Sequence, residues 1–295
     1  RIEQSIAQRA IRLERVHEMA TTLSTIDDVI TPAERQAFED NGFHLIRGAL
    51  TPAEVARYRQ ALVDLLQTPA DHPYDNRLLK ATIPGANPTK LNPRGIWAGF
   101  DLPLFADVFW EFVYHPKVTL SVAGLIGPDV NLYETSCVSK VPGFPGTYRD
   151  WHQDTEYSDP QSNDYNVTVI TYLDDMDGQS GVTGVVPGTH KLGPLPHVLP
   201  KEEYSSLARE VENKEQYDER GVYQEVKAGD TLVFLGRLVH KSAPNYSSED
   251  KLSLAYNYVR KDTFDLGEIN RYIGAGTPVV REGRLYRPFA SSYVN

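Results

Sequence analysis

The sequence of 295 residues has little cysteine, no long apolar run and no excess of positive charge. Its one cysteine, Cys137, excludes an intrachain disulfide framework and a thiolate-rich zinc or iron–sulfur site. No apolar stretch approaches the roughly 20 residues that cross a bilayer, and the first residues lack the apolar core of a secretory signal. We therefore expect a cytoplasmic protein with no membrane partner.

The net charge is −10 at pH 7, and no Lys/Arg cluster offsets it locally. Such a chain repels the phosphates of nucleic acids and of anionic membranes. Hydrophobic residues make up 40% and charged residues 24%, which is ordinary for a globular protein and argues against extended disorder. We expect a small-molecule substrate or a protein partner and no nucleic acid, while a homo-oligomer stays open.

Helix signals dominate the first part of the chain. Residues 1–23 carry apolar side chains at steps of three and four, the spacing of an amphipathic helix. Thr31 and Thr51 are each followed by Pro-Ala-Glu, which supplies an N-cap, a proline at the first helical position and a capping box. Helices are therefore predicted to begin near residues 32 and 53.

The middle and the second half of the chain carry different patterns. Residues 69–103 are interrupted by proline and are expected to form an irregular functional loop, and a helical interval follows over 104–126. Beyond it, alternating side chains predict short strands. The predicted strands cover 131–140, 147–153, 166–173, 182–186, 222–227, 231–235, 238–243 and 252–260.

This succession predicts an α+β fold with a double-stranded β-helix core, the cupin-like jelly roll, and N-terminal and flanking helices. We expect one domain over residues 1–295, with a helical extension at 1–30 and the jelly-roll core at about 131–260.

One triplet offers the ligands of a metal centre. His152 and Asp154 are two residues apart, so both point to one face of a strand while Gln153 points to the other. His240 follows a later apolar strand. Two histidines and one carboxylate form the facial triad that holds non-haem Fe(II) and leaves coordination positions open. A His-x-Asp triplet is also common in proteins without a metal, so this pattern alone leaves a structural role open.

An ordered series of motifs surrounds these three residues. The series is Leu173-Asp174, Pro187-Gly188-Thr189-His190, Gly229-Asp230, and, after His240, Ser242 and Asn245. Together with the His-Gln-Asp triplet it resembles the phytanoyl-CoA dioxygenase family of Fe(II)- and 2-oxoglutarate-dependent oxygenases, over about residues 31–260. The resemblance implies Fe(II) as the metal, bound by His152, Asp154 and His240, with 2-oxoglutarate and O₂ as co-substrates. It implies no catalytic residue beyond these ligands.

The resemblance also implies an anchor for the co-substrate. In the family an arginine eleven residues beyond the second histidine usually holds the far carboxylate of 2-oxoglutarate, and Lys251 occupies that position here. A lysine keeps the charge but not the two-pronged geometry of arginine. Ser253 shares its strand face, and an exposed lysine with no ligand is the alternative reading.

Further contacts are less specific, because each of these side chains could equally serve packing. The candidates on the strand before the triplet, for co-substrate contacts, are Tyr133, Thr135 and Lys140. The candidates for the substrate itself are Trp151, Tyr157, Tyr172, Arg94 and Trp97.

The implied activity is oxidation of an unactivated C–H bond of a small molecule, most simply hydroxylation in specialised metabolism, with release of succinate and CO₂. Desaturation, cyclisation and epimerisation begin from the same chemistry and stay open. The resemblance argues against halogenation, since chlorinating relatives replace the carboxylate that Asp154 supplies. A non-catalytic jelly-roll binding protein and a cupin enzyme that uses no 2-oxoglutarate are the alternatives of another class.

Overall fold

The computed structural model describes residues 25–80, 88–144, 150–154, 166–199, 209–263 and 272–286. Its α-helices are α1 (Pro32–Asn41), α2 (Pro52–Leu66), α3 (Asp107–Val113) and α4 (Pro116–Ile126). Both predicted helix starts are confirmed, because Thr31 and Thr51 each form a complete capping box with the glutamate three residues on. The interval 104–126 is two helices rather than one. Pro116 holds His115 in an extended conformation, which ends α3 and begins α4.

The strands form a larger and a smaller sheet that pack face to face, and two short strands form a separate pair. In chain order the strands are β1 (Phe43–Ile46), β2 (Leu78–Lys80), β3 (Ile96–Phe100), β4 (Val130–Lys140), β5 (Asn166–Tyr172), β6 (Thr183–Val185), β7 (His197–Val198), β8 (Glu210–Val211), β9 (Val222–Tyr223), β10 (Thr231–Leu235), β11 (His240–Ser242), β12 (Lys251–Arg260), β13 (Pro278–Arg281) and β14 (Arg284–Leu285).

The larger sheet has the order β1-β10-β5-β12-β4-β13-β14, and the β2–β3 hairpin joins it through β4. The smaller sheet has the order β11-β6-β9, and the short strands β7 and β8 form the separate pair. Apolar side chains of both sheets share one buried cluster, in which Ile170 and Phe234 meet Val182 and Val185. The predicted α+β jelly roll with flanking helices is confirmed.

Strand β12 lies between the two larger apolar clusters of the molecule, one under the helices and one between the sheets. Leu252, Leu254, Tyr256 and Tyr258 belong to the cluster that packs under the helices. The Tyr256 hydroxyl donates to the carbonyl of Phe109 in α3, at 2.9 Å. The alternate residues of β12 face the smaller sheet, because side chains of a strand point in turn to opposite faces. This inner face carries the candidate site.

Three sequence predictions need correction or fall outside the description. The stretch 69–103 is not wholly irregular, since β2 and β3 form a hairpin whose second strand pairs with β4. Residues 150–154 form no regular strand; a single bridge joins His152 to His240. The predicted helix at 1–23 lies outside the described residues.

Within the described part of the chain, no helix is long and apolar enough to span a membrane.

Candidate metal centre

His152, Asp154 and His240 lie together inside the barrel. One ligand atom of each falls within 4.8 Å of the other two, and this is the one such group of three among the described residues. Asp154 Oδ1 is 3.5 Å from Nε2 of His152 and 3.5 Å from Nε2 of His240. Both histidines are buried, and Asp154 is half-buried. The fold therefore brings the two distant parts of the predicted triad to one point.

The backbone fixes the direction of both imidazoles. The N–H of His152 donates to the carbonyl of His240 and the reverse bond is also made, both at 3.0 Å. Nδ1 of His152 is 2.7 Å from the carbonyl oxygen of Asp150, and Nδ1 of His240 is 2.9 Å from that of Leu238. Since a carbonyl only accepts, Nδ1 carries the proton in each ring and Nε2 presents a free lone pair. Both lone pairs are available to one cation.

The carboxylate is held as firmly as the imidazoles. The Thr168 hydroxyl donates to Asp154 Oδ2 at 2.6 Å, and the Asn257 amide donates to the Thr168 hydroxyl oxygen at 2.9 Å. Burial raises the pKa of Asp154, but in the metal-free site His240 and His152 lower it further when their rings are protonated, so that the pKa is well below its usual value. Asp154 is therefore anionic, with Oδ1 directed at the histidines.

This donor set fits Fe(II). Two neutral imidazole nitrogens and one carboxylate oxygen on one side of the cavity match the ligand types of non-haem iron and leave the opposite side open. The Phe234 ring lies 4.4 Å from the His240 ring and shields that ligand from water.

Gln153 explains the middle position of the triplet. Its side-chain amide nitrogen donates to the carbonyls of Arg237 and Gly193, at 2.6 and 3.0 Å, and its oxygen accepts from Leu195 N–H at 2.9 Å. These bonds tie the segment of His152 to the segment that leads into His240. Thr189 supports the same segment, since its hydroxyl oxygen accepts from Val239 N–H at 2.9 Å.

The other motif residues hold turns rather than ligands. Asp230 accepts from Gly48 N–H at 2.8 Å and pairs with Arg47. Asp174 accepts from Leu252 N–H at 2.8 Å and pairs with Arg59. The Leu-Asp and Gly-Asp motifs therefore fix the strand connections around the barrel.

Lys251 and Ser253 line the inner face of β12, on the side of Asn257, and both are buried. Lys251 Nζ is 3.3 Å from Glu249 Oε2, and the Glu249 side chain is 76% exposed. Tyr172 lies opposite Ser253 on β5, and its hydroxyl accepts from Thr183 N–H at 3.3 Å. These three side chains lie on the face of the larger sheet that packs against the smaller sheet.

Lys140 lies on β4, directly opposite Lys251, and is buried. Its ammonium group donates to the carbonyl of Gly181. The strand before the triplet thus contributes one of its three candidates to the inner wall.

The structure does not support a ligand role for Thr135. It lies opposite Tyr256 on the helix-packed face, and its hydroxyl oxygen accepts from Leu102 N–H at 3.1 Å. The strand alternation around Ser136 turns Thr135 away from the cavity. Tyr133 lies at the β-bulge of β4 and packs edge-on against Tyr272.

Two of the proposed substrate contacts, Trp151 and Arg94, are placed elsewhere. Trp151 is fully buried in a separate apolar cluster, and its Nε1 donates to Asp218 at 2.8 Å, because it points opposite to the metal ligands. Arg94 pairs with Asp75 and donates to the carbonyl of Thr68 at 2.7 Å, so it braces the stretch before β3. Trp97 is half-buried on β3. Tyr157 lies outside the described residues.

Thr168 and Asn257 were not predicted to support the metal ligand Asp154. The signal was present in the sequence, since Asn257 is on the same side of β12 as Lys251 and Ser253 by strand alternation. The contact to Asp154 could not be read from the sequence, because it joins three separate segments.

This chain is similar to proteins of a known family. The model of the family described as Phytanoyl-CoA dioxygenase (PhyH) matches residues 38–253. A probable phytanoyl-CoA dioxygenase of Caenorhabditis elegans is 28% identical over 243 residues, which cover 79% of this chain and 77% of that protein.

Two solved structures share the fold. The non-haem α-ketoglutarate-dependent carbocyclase SnoK from nogalamycin biosynthesis superposes with a TM-score of 0.61 and 17% identity, covering 90% of this chain and 96% of SnoK. EvdO2 of Micromonospora carbonacea var. aurantiaca, solved with 2-oxoglutarate, superposes with a TM-score of 0.59 and 20% identity. The match covers 79% of this chain and 91% of EvdO2.

Proposed function

Because this chain belongs to the phytanoyl-CoA dioxygenase family, we propose that it is an Fe(II)- and 2-oxoglutarate-dependent oxygenase that hydroxylates an unactivated C–H bond of a small molecule. The observation that carries the proposal is the convergence of His152, Asp154 and His240. With iron and 2-oxoglutarate bound, the site would convert a C–H bond of the substrate to C–OH. One oxygen atom of O₂ would enter the hydroxyl group and the other would enter succinate, which forms from 2-oxoglutarate with release of CO₂.

The residues of this chain have defined tasks in that reaction. His152, Asp154 and His240 would hold Fe(II) from one side. Lys251, with Ser253 beside it on the same wall, would bind the carboxylate of 2-oxoglutarate that is remote from the metal. The apolar lining around Phe234 keeps water from the reacting groups, which suppresses side reactions.

Asp154 argues for oxygenation over halogenation. Its carboxylate is present, anionic and directed at the two histidines. It therefore occupies the position that a halide would need. The mass of the product separates the remaining outcomes: hydroxylation adds one oxygen atom, desaturation or ring closure removes two hydrogens, and epimerisation leaves the mass unchanged.

We also propose a small-molecule substrate and a cytoplasmic location. A net charge of −10 supports the exclusion of nucleic acid.

The first test is spectroscopic. Fe(II) and 2-oxoglutarate added without O₂ should give a weak visible charge-transfer band in the wild-type protein, and Asp154→Ala and His240→Ala should abolish it. His44→Gln is the matched control. His44 lies on β1, opposite Val233 of β10, and is not one of the three grouped metal ligands. This variant should keep the band.

A wild-type protein that binds Fe(II) but shows no band would contradict the proposal. If it oxidised a substrate in air without forming succinate, the cupin enzyme independent of 2-oxoglutarate would be the correct class. If it bound a small molecule and consumed no O₂, the chain would be a binding protein.

A further inference from the structure

Two buried lysines lie opposite each other on the inner face of the barrel. Lys140 on β4 and Lys251 on β12 are Cα partners in the antiparallel register, and their exposed fractions are 4% and 8%. Directly opposed side chains have Cβ atoms about 5 Å apart, and like charges at that distance repel. Two neighbouring buried cations therefore need an anion between or beside them.

The carboxylates near this pair, those of Glu249, Asp175 and Asp177, are exposed and act on Lys251. Lys140 Nζ donates to the backbone carbonyl of Gly181, which carries no formal charge. Among the residues that the structure describes, no carboxylate pairs with Lys140. Lys251 pairs with Glu249, but the exposure of that glutamate leaves the pair screened by water. The two lysines retain donor capacity for an anionic ligand.

The local structure makes room for Lys140 and holds it in place. Gly181 has φ +98°, and a Cβ at this position would lie 2.8 Å from Lys140 Cδ. The Asn245 amide donates to the carbonyls of Lys140 and Glu249, both at 2.8 Å. One side chain thus ties the end of β4 to the turn before β12, so both lysines have fixed positions.

The lysine pair and the metal ligands are connected through the smaller sheet. His240 is opposite Val185 in the smaller sheet, and Ser242 is opposite Thr183. Gly181, which contacts Lys140, is four residues before Val185, a distance of at most about 14 Å along the chain. Because Lys140 Nζ already reaches Gly181, a five-carbon dicarboxylate bound to the metal is the group that would span the remaining distance.

We propose that Lys140 is a second cation of the co-substrate site, and that Lys140 and Lys251 together bind the carboxylate of 2-oxoglutarate remote from the metal. The inference rests on the proposed function and deepens it, since it assigns two point charges to the task that one arginine fork performs. Two ammonium groups can supply the second donor direction that a single lysine lacks.

The pair also predicts a pH dependence of binding. Burial lowers the pKa of Lys140 to about 7, so a fraction of this group is neutral in the free protein at neutral pH. A bound carboxylate favours the ammonium form. Binding should therefore take up protons near pH 7 to 8, and the affinity for 2-oxoglutarate should fall as the pH rises above 7.

The neighbouring ionisable groups do not explain such a dependence. They are, besides Lys251, the side chains of Tyr172, Asp175, Asp177 and Glu249. Burial raises the pKa of Tyr172 to about 12. Hydrogen bonds, from Ala228 N–H to Asp175 and from the Ser180 hydroxyl to Asp177, lower the pKa of both aspartates. The pKa values of Tyr172 and of both aspartates are therefore all shifted away from neutral pH.

The test compares two 2-oxo acids on the Fe(II)-loaded protein without O₂. 2-Oxoglutarate has the remote carboxylate and 2-oxobutyrate lacks it, so the ratio of their dissociation constants by calorimetry reports on that carboxylate alone. Lys140→Met should weaken 2-oxoglutarate binding roughly ten- to a hundredfold and leave 2-oxobutyrate unchanged. The proton uptake should disappear with it.

Two further variants complete the design. Lys140→Arg keeps the charge and should preserve most of the discrimination, while its pH dependence is lost because arginine stays protonated. Lys227→Met is the matched control, since the Lys227 side chain is 76% exposed and its removal changes the net charge equally. The affinities of Lys227→Met for 2-oxoglutarate and for 2-oxobutyrate should both equal those of the wild type. Thermal denaturation checks that each variant is folded.

The outcomes separate the two proposals. A wild-type protein that binds neither 2-oxo acid overturns the proposed function and the lysine pair together. If the wild type prefers 2-oxoglutarate and only Lys251→Met loses that preference, the proposed function stands and the role of Lys140 is rejected. Equal weakening of both acids by Lys140→Met would also reject it.

Discussion

At the scale of single residues, the second oxygen of Asp154 determines how the carboxylate can bind a metal. Thr168 donates to Oδ2 and is itself held by Asn257, while Oδ1 faces the two histidines. A carboxylate with one oxygen already bonded is directed to bind through the other. Coordination by one oxygen keeps more positions of the metal open for ligands.

Thr168→Val tests this arrangement. The variant keeps the shape of the side chain but leaves Oδ2 without its donor, so affinity for Fe(II) should fall about tenfold or more, as is typical of partners that orient metal ligands. Anaerobic competition with a chromophoric chelator measures it.

Thr171→Val is the matched control for that experiment. Thr171 lies on the opposite face of the same strand, where its hydroxyl bonds that of Thr231 at 2.8 Å. Its loss should lower the melting temperature and leave metal affinity unchanged. Equal metal affinity in Thr168→Val and in the wild type would show that Asp154 does not depend on the hydroxyl.

At the scale of elements, one histidine joins the starts of two helices. His115 is the N-cap of α4, where its Nδ1 accepts from Val118 N–H at 3.4 Å. Its Nε2 lies 3.3 Å from Glu54 Oε1, and Oε2 of the same glutamate accepts from Thr51 N–H at 2.8 Å to complete the capping box of α2. A motif that looks local in the sequence therefore also sets the packing of α2 against α4.

This contact predicts how stability depends on pH. Burial raises the pKa of Glu54, but hydrogen bonds from His115 and Thr51 outweigh it and bring the pKa to about 2. A lowered pKa contributes stability above the unfolded value of about 4.3, and this contribution is lost as the pH falls towards 2. The melting-temperature difference between wild type and Glu54→Gln should therefore be largest near pH 7 and should shrink from pH 5 to pH 3.

Glu34→Gln in α1 serves as the comparison. Glu34 forms the same capping box with Thr31, but its side chain is more exposed and His44 is 3.9 Å away. The loss of melting temperature in Glu34→Gln should be smaller than that in Glu54→Gln at every pH. If the melting-temperature difference between wild type and Glu54→Gln stayed constant from pH 7 to pH 3, titration of the Glu54 carboxylate would not be its cause.

At the scale of the whole molecule, the candidate metal centre joins the two sheets. His240 begins β11 of the smaller sheet, and Asp154 reaches Thr168 on β5 of the larger sheet. A cation bound to both parts would favour the folded state, because the unfolded chain does not bring the ligands together.

Adding Fe(II) without O₂ should therefore raise the melting temperature of the wild type in a concentration-dependent manner. Asp154→Ala should melt at the same temperature with and without Fe(II), and a chelator should reverse the wild-type shift. A rise of the same size in Asp154→Ala would place the stabilising metal elsewhere.

Much of this molecule was predictable where the signals are local. The starts of α1 and α2 follow from Thr-Pro-Ala-Glu, since capping depends on four consecutive residues. The family, the jelly roll and the dioxygenase class follow from the ordered motifs and are confirmed. The division of 104–126 at Pro116 and the hairpin of β2 and β3 were missed, although a proline before position 117 was a signal for the first.

The sequence by itself determined the ligand types, the alternation that puts Lys251, Ser253 and Asn257 on one face, and the retained carboxylate of Asp154. Only the tertiary structure decided which polar residues face the cavity: Lys140 does, whereas Thr135 and Trp151 do not. The physical reason is that strand alternation defines two faces but does not say which face packs against helices. That choice is made by burial of apolar surface contributed by elements distant in the chain.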